Sequence, residues 1–234
     1  MDPSAFVQFL KTARPEPVSA EDRARATSAL PVEGEVTDFS GSTRRKLAAL
    51  NDVLRATGRE SVYEIRVIDV PQAGLALYAR AVILVSEAAL TLLDADELQA
   101  SLAHEIGHDY VWTEREHALQ LADHIRLKDL ELVCDAIAIV TLHDLGIDVS
   151  RLISGVQKTS RFNRQRLGTA NNESDYPTLA QRQAFARAMT ARVPLRRSPR
   201  RPGCVRCGAI VPAQSTRFCR TASTSAIPIG SNHR

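Results

Sequence analysis

Residues 94–111 read DADELQASLAHEIGHDYV. Leu98, Leu102 and Ile106 recur at four-residue spacing, which lays one apolar stripe along a helix. Asp94 or Asp96 stands where a helix N-cap is preferred, so the helix is expected to run from there to about Val111. Inside it, His104-Glu105-Ile106-Gly107-His108 forms an HExxH pentapeptide. Positions four apart on an α-helix point about 40° apart, on one face. Two imidazoles so placed can hold one zinc ion, and the glutamate beside the first can act on water there. The same pentapeptide also fits two surface histidines on an amphipathic helix, so the flanking sequence has to decide.

Upstream, helices are expected near Ala5–Thr12 and Ala20–Ala29, then over Ser42–Gly58, with Ser42 as cap and Gly58 as stop. Tyr63–Val70 alternates and is rich in β-branched residues, which predicts a strand. The turn residues 71–74 lead to a second strand, Leu75–Arg80, and Ala81–Val85 reads as a third. A short helix is expected over Ser86–Leu92. Downstream, Leu121, Ile125, Leu132, Ile139 and Leu142 predict one long helix over Leu119–Leu145, ended by Gly146. Ser150–Gly155 opens another helix, 163–177 reads as an irregular loop, and Thr178–Ala191 as a last amphipathic helix.

Composition narrows the classes. Hydrophobic residues make up 44% of the 234, ordinary for a folded domain, while aromatics are only 5%. Leu, Ala, Val and Ile must therefore build the core. No run of about 18 apolar residues exists, so no transmembrane helix is predicted. Met1–Pro17 lacks the basic start and apolar stretch of a secretory signal. A cytoplasmic location is expected, or a periplasmic or membrane-associated one if the natural N-terminus lies upstream. Charge is uneven: residues 196–234 hold eight Arg and no acid, so with a total of +3 the remainder carries −5. The expected organisation is an N-terminal helical arm over 1–40, a main domain over 41–195, and a basic, disordered tail over 196–234. Cys134 falls in a helical segment and reads as core; Cys204, Cys207 and Cys219 fall in the tail, with no disulfide framework indicated.

A catalytic zinc takes three protein ligands and leaves one position open. The long metzincin motif would need glycine and histidine where Val111 and Glu114 stand, so that route is closed. Glu131, 23 residues after His108, is the better third ligand. Asp135 follows it one helical turn later and can accept a hydrogen bond from the free ring nitrogen of a liganding histidine. Two carboxylates on a helix otherwise lined by Leu132, Val133, Ala136 and Ile137 are costly to bury without a partner or metal. Glu114, Glu116, His117 and His124 stand as alternative ligands.

With the strand and the phrase ILVSEAALTLLDADELQASLAHEIGH over 83–108, and ExxxD over 131–135, residues 45–190 resemble the HtpX, CAAX-prenyl-protease and Oma-type family of gluzincin zinc metallopeptidases. A third element of that family, histidine-proline followed by arginine, has a partial match in Tyr176-Pro177 and Arg182. The resemblance implies an α+β fold: a mainly helical zincin-like metallopeptidase domain with a small β-sheet. The active-site helix carrying HExxH would pack on a second helix carrying ExxxD. It further implies one zinc held by His104, His108 and Glu131, with Glu105 as general base and Asp135 supporting a ligand. Tyr176 or Arg182 would contact the oxyanion or substrate, and the strand near Leu75–Arg80 would take an extended peptide. The chain resembles the family's soluble members, and Tyr176 replaces the usual histidine. The function so implied is a zinc-dependent metalloendopeptidase acting on peptide or protein substrates. Two other classes are carried: a non-catalytic zinc-containing scaffold, and a binder of nucleic acid or acidic surfaces through the tail. The Cys204/Cys207/Cys219 set with His233 also offers half of a zinc ribbon.

Overall fold

The computed structural model describes residues 8–9, 12–30, 34–168 and 175–192. The chain is mainly helical with a small three-stranded mixed sheet, an α+β arrangement. Its elements run α1 (Ala20–Ala29), α2 (Gly41–Thr57), β1 (Glu64–Ile68), β2 (Leu75–Tyr78), β3 (Val82–Ser86), α3 (Glu87–Leu92), α4 (Ala95–Tyr110), α5 (Trp112–Gln120), α6 (His124–Leu145), α7 (Ser150–Leu167) and α8 (Leu179–Thr190). The expected helix near Ala5–Thr12 lies partly outside the described residues, and the tail over 196–234, with its cysteines, lies wholly outside them.

Sheet order is β1-β3-β2, with β1 parallel and β2 antiparallel to β3. That places β2 at one edge. The β2–β3 turn passes through Ala79 and Arg80, both with positive φ, and closes by the Ala81 N–H donating to the Tyr78 carbonyl. Left-handed backbone at two non-glycine residues costs about 1–2 kcal/mol each and persists only where neighbours hold it. Arg80 is so held, by Asp109 and by the carbonyl of Glu16.

One apolar core joins α2 (Leu50, Val53, Leu54), the sheet (Val67, Ile83, Val85), α4 (Leu98, Leu102, Ile106) and α6 (Ile137, Ile139, Leu142). Both α4 and α6 bury small residues, Ala100 and Ala103 on the first and Ala136 and Ala138 on the second. Gly107 marks the closest approach, since a Cβ there would sit 2.6 Å from Cys134 Cα. Any side chain larger than hydrogen at this point would force the two helices apart.

Four local expectations need correction. Ser40, not Ser42, caps α2, by accepting the Thr43 N–H at 3.2 Å. The single helix expected over Leu119–Leu145 is broken. Ala122 adopts φ 51°, and Asp123 caps a new helix by accepting the Arg126 N–H. Leu121 and Ile125, read as its buried stripe, are 64% and 77% exposed. Of the expected loop over 163–177, residues 163–167 belong to α7, which stops at left-handed Gly168, and 169–174 lie outside the described residues. The turn-favouring residues of this stretch, Gly168, Asn171, Asn172 and Pro177, all stand at or after the helix stop.

Candidate metal centre

The start of α4 is set by a capping box. Asp94 accepts the Glu97 N–H at 2.9 Å, and Glu97 accepts the Asp94 N–H at 3.0 Å. Glu97 also accepts from Ser154 and Lys158 of α7, so one buried carboxylate fixes both the helix start and its neighbour. Ten residues on, His104, Glu105 and His108 emerge along the floor of a cleft of about 380 Å³. Its walls are Gly74–Leu77 of the edge strand, Trp112 and Arg115 of α5, Leu152, Val156 and Asn163 of α7, and Tyr176 and Arg182.

The two imidazoles present the same atom to the cleft. His104 Nδ1 is taken by Asp135 Oδ1 at 2.9 Å, and His108 Nδ1 lies 3.4 Å from Cys134 Sγ. Both Nε2 atoms therefore turn toward Glu131, His104 Nε2 lying 3.3 Å from Oε2 and His108 Nε2 3.7 Å from Oε1. His104, Glu105 and His108 also offer donor atoms all within 4.8 Å of one another. Two carboxylates thus compete as third donor. Glu131 is the stronger: it reaches both rings, whereas Glu105 stands 4.0 Å from His108 and accepts the Leu77 N–H at 3.1 Å. Glu114, Glu116, His117 and His124 are exposed, and His124 pairs with Asp175.

Arg182 lines the cleft with its side chain turned to the carboxylates of α6. Its guanidinium is buried and donates to Glu131 Oε2 at 2.9 Å and to Asp135 Oδ1. It holds the two α6 carboxylates in place. Tyr176 also lines the cleft, beside Arg115. Burial pushes its phenol above the ordinary value, which keeps it a hydrogen-bond donor at neutral pH. Sequence reasoning missed Arg115, Trp112, Asn163 and Cys134 as neighbours of the site. Cys134 stands one residue before Asp135, within the ExxxD segment, and its contact with His108 was findable from that position.

Burial and charge shift every group here. Burial pushes His104 down, but the hydrogen bonds to Asp135 and Glu131 outweigh it and raise the ring to about 10. Burial and the His104 charge push His108 down to about 3. Burial, with the Glu131 charge, lifts Glu105 to about 7. Burial acts to raise Glu131 as well, but the His104 hydrogen bond and the charges of His104, His108 and Arg182 hold it well below the carboxylate range. Without the imidazolium proton, Glu105, Glu131 and Asp135 face the guanidinium of Arg182, with Arg115 at the cleft wall, so the carboxylates outnumber the cations by one. A divalent cation offsets that charge and accepts nitrogen and oxygen donors together. The donor set therefore fits zinc.

No family model matches the chain, and no curated protein matches it.

Proposed function

We propose that the protein is a zinc-dependent metallopeptidase that hydrolyses peptide bonds. One observation carries the reading: both Nε2 atoms of the HExxH histidines converge on Glu131 of a second helix, while Asp135 fixes the far nitrogen of His104. The likeness of the two motifs to the HtpX, CAAX-prenyl-protease and Oma-type gluzincins supports it.

His104 and His108 would hold zinc through Nε2, and Glu131 through a carboxylate oxygen. When bound, zinc supplies a Lewis acid that polarises a carbonyl and makes water acidic near neutral pH. Glu105 has the position and the raised pKa of a general base for that water. Water adds its oxygen to the scissile carbonyl carbon, and Glu105 takes the released proton. The C–N bond then breaks, and Glu105 hands the proton to the departing amine; the second proton of the water leaves the new carboxyl group for the amine, giving a carboxylate and an ammonium group. Tyr176, kept protonated by burial, can donate to the developing oxyanion. An extended peptide can lie along the edge strand, because Gly74–Leu77 form one wall of the cleft. No helix among the described residues is long and apolar enough to cross a membrane.

The test is a Glu105→Gln variant. Zinc content should stay near one per chain, while cleavage of a fluorogenic peptide falls by about 10²–10⁴-fold, the usual worth of general acid–base catalysis. Wild-type protein that holds zinc yet cleaves no peptide in a diverse library would favour the scaffold reading.

A further inference from the structure

The free edge of β2 is closed at one end by a side chain. Gly74 bonds toward β3: its N–H reaches Ser86 Oγ, and its carbonyl accepts the Ser86 N–H. Backbone groups alternate in direction along an antiparallel strand, so those of Ala73, Leu75 and Leu77 face the cleft. At Ala73 the carboxamide of Asn163 from α7 takes both groups. Oδ1 accepts the Ala73 N–H at 2.8 Å, and Nδ2 donates to the Ala73 carbonyl at 2.9 Å. This is the pairing a further strand residue would make. At the other end the Leu77 N–H is taken by Glu105. The N–H and carbonyl of Leu75 and the carbonyl of Leu77 are what the edge presents in between.

We propose that Asn163 ends the substrate-binding edge, so that the cleft takes peptides with only a short stretch on the C-terminal side of the cleaved bond. The inference rests on the peptidase reading. Leu75 offers a donor and an acceptor together, which one residue of an antiparallel strand satisfies. A peptide laid antiparallel to β2 runs from Leu77 toward Ala73. Glu105 marks the Leu77 end, so the bond it acts on lies there, and residues leading to Ala73 follow that bond. Leu77 and Ala73 are about 13 Å apart along a strand, which leaves about three substrate residues before the carboxamide. A longer chain must end there or leave the edge and forfeit its pairing.

The experiment uses the zinc-loaded full chain and nested peptides that share one cleavable core and carry one to eight residues beyond the cleaved bond. Cleavage is followed by mass spectrometry, and binding of labelled peptides by anisotropy with the Glu105→Gln protein. Wild-type turnover should fall about tenfold or more as the extension grows from three to six residues, a discrimination typical of a closed subsite. Anisotropy should show the same length dependence. Asn163→Ala should level both profiles, with Asn163→Ser as the alternative if the alanine variant melts early. A flat wild-type profile overturns the inference, and so does an unchanged profile in both variants that fold and hold zinc. Wild-type protein that binds the short peptides but cleaves none overturns the peptidase reading instead, while the anisotropy still decides the role of Asn163.

Discussion

Helix α4 carries two buried charge clusters on neighbouring residues, and they are built to opposite balances. His108 faces the cleft, where Glu105, Glu131 and Asp135 outnumber Arg182 and Arg115. Asp109, the next residue, faces the other way into a cation-rich cluster. It accepts the Tyr63 hydroxyl at 2.6 Å and pairs with Arg80 and, at 3.5 Å, with Arg59. The same two arginines also reach the carbonyls of Pro15 and Glu16, and the Tyr110 hydroxyl reaches that of Ala13. In this second cluster the protein answers its own buried charge, and the result is architecture: a strapped N-terminal segment and a strained β2–β3 turn held in place. In the first, the balance rests on a proton held by His104; with that proton gone the carboxylates outnumber the arginines, and an added metal ion would take its place. Buried charge alone marks neither site; the sign of the imbalance separates them.

The widest gap between the two clusters should appear on removing one carboxylate from each. Asp109→Ala leaves two arginines and a phenol facing one another and should cost about 3–5 kcal/mol, as breaking a buried ion pair does. Its zinc content per folded molecule should be unchanged. Glu131→Ala should do the reverse: zinc stoichiometry drops well below one, while the metal-free melting temperature moves less than in Asp109→Ala. Metal analysis beside calorimetry decides it, and a Glu131→Ala protein that still holds zinc fully would return Glu105 or a more distant ligand to the third position.

Next in size is Gly107→Ala. The added methyl meets Cys134 backbone at 2.6 Å, which no rotamer can relieve, so a loss of about 3 kcal/mol is expected, at the upper end of overpacking costs. Because the displaced helices carry His104, His108 and Glu131, zinc affinity should fall with stability. A smaller effect, confined to the metal face, follows from Asp135→Asn. The hydrogen bond that orients His104 weakens, and zinc should bind about 10–100-fold less tightly. A chelator competition titration reads that shift directly; equal affinity in the variant would reduce Asp135 to a partner of Arg182 alone.

What was legible in the sequence follows from how local each signal is. HExxH and ExxxD each lie within one or two turns of one helix, where fixed spacing dictates a shared face. The break at Leu121–Asp123 was misread because periodicity counts Leu121 and Ile125 as a stripe regardless of the backbone between them. Asp123, a preferred cap residue in mid-pattern, was the overlooked signal. Asp109 could have been found, since it continues the apolar line Leu98–Leu102–Ile106 onto the buried face and so demands a partner. Asn163 could not. Its role depends on α7 meeting Ala73, 90 residues earlier in the chain, and no local pattern specifies that meeting. Arg182 was placed near the site by its motif, yet which atoms it touches depends on how α8 docks on α6.

The smallest expected effect is the pH response of the clamp that seats α4 against α7. Glu97 is fully buried among the Asp94 N–H, Ser154 and Lys158. Burial alone would raise its pKa, but the hydrogen bonds from Lys158 and Ser154, then the Asp94 N–H, outweigh it and hold the carboxyl below the ordinary value. A carboxylate with a depressed folded pKa stabilises the fold above its unfolded pKa, about 4.3 for glutamate. That contribution is lost as pH falls through the lower, folded value. Glu97→Gln should therefore cost about 1–2 kcal/mol at pH 7, in line with losing charge-assisted hydrogen bonds. The gap between variant and wild type should stay constant down to about pH 5 and close below about pH 4. Thermal melts of both proteins from pH 7 to 3 measure it. Curves that stay parallel through the acid range would show that Glu97 works as a neutral hydrogen-bond acceptor, and that the tie between the HExxH helix and α7 carries no charge.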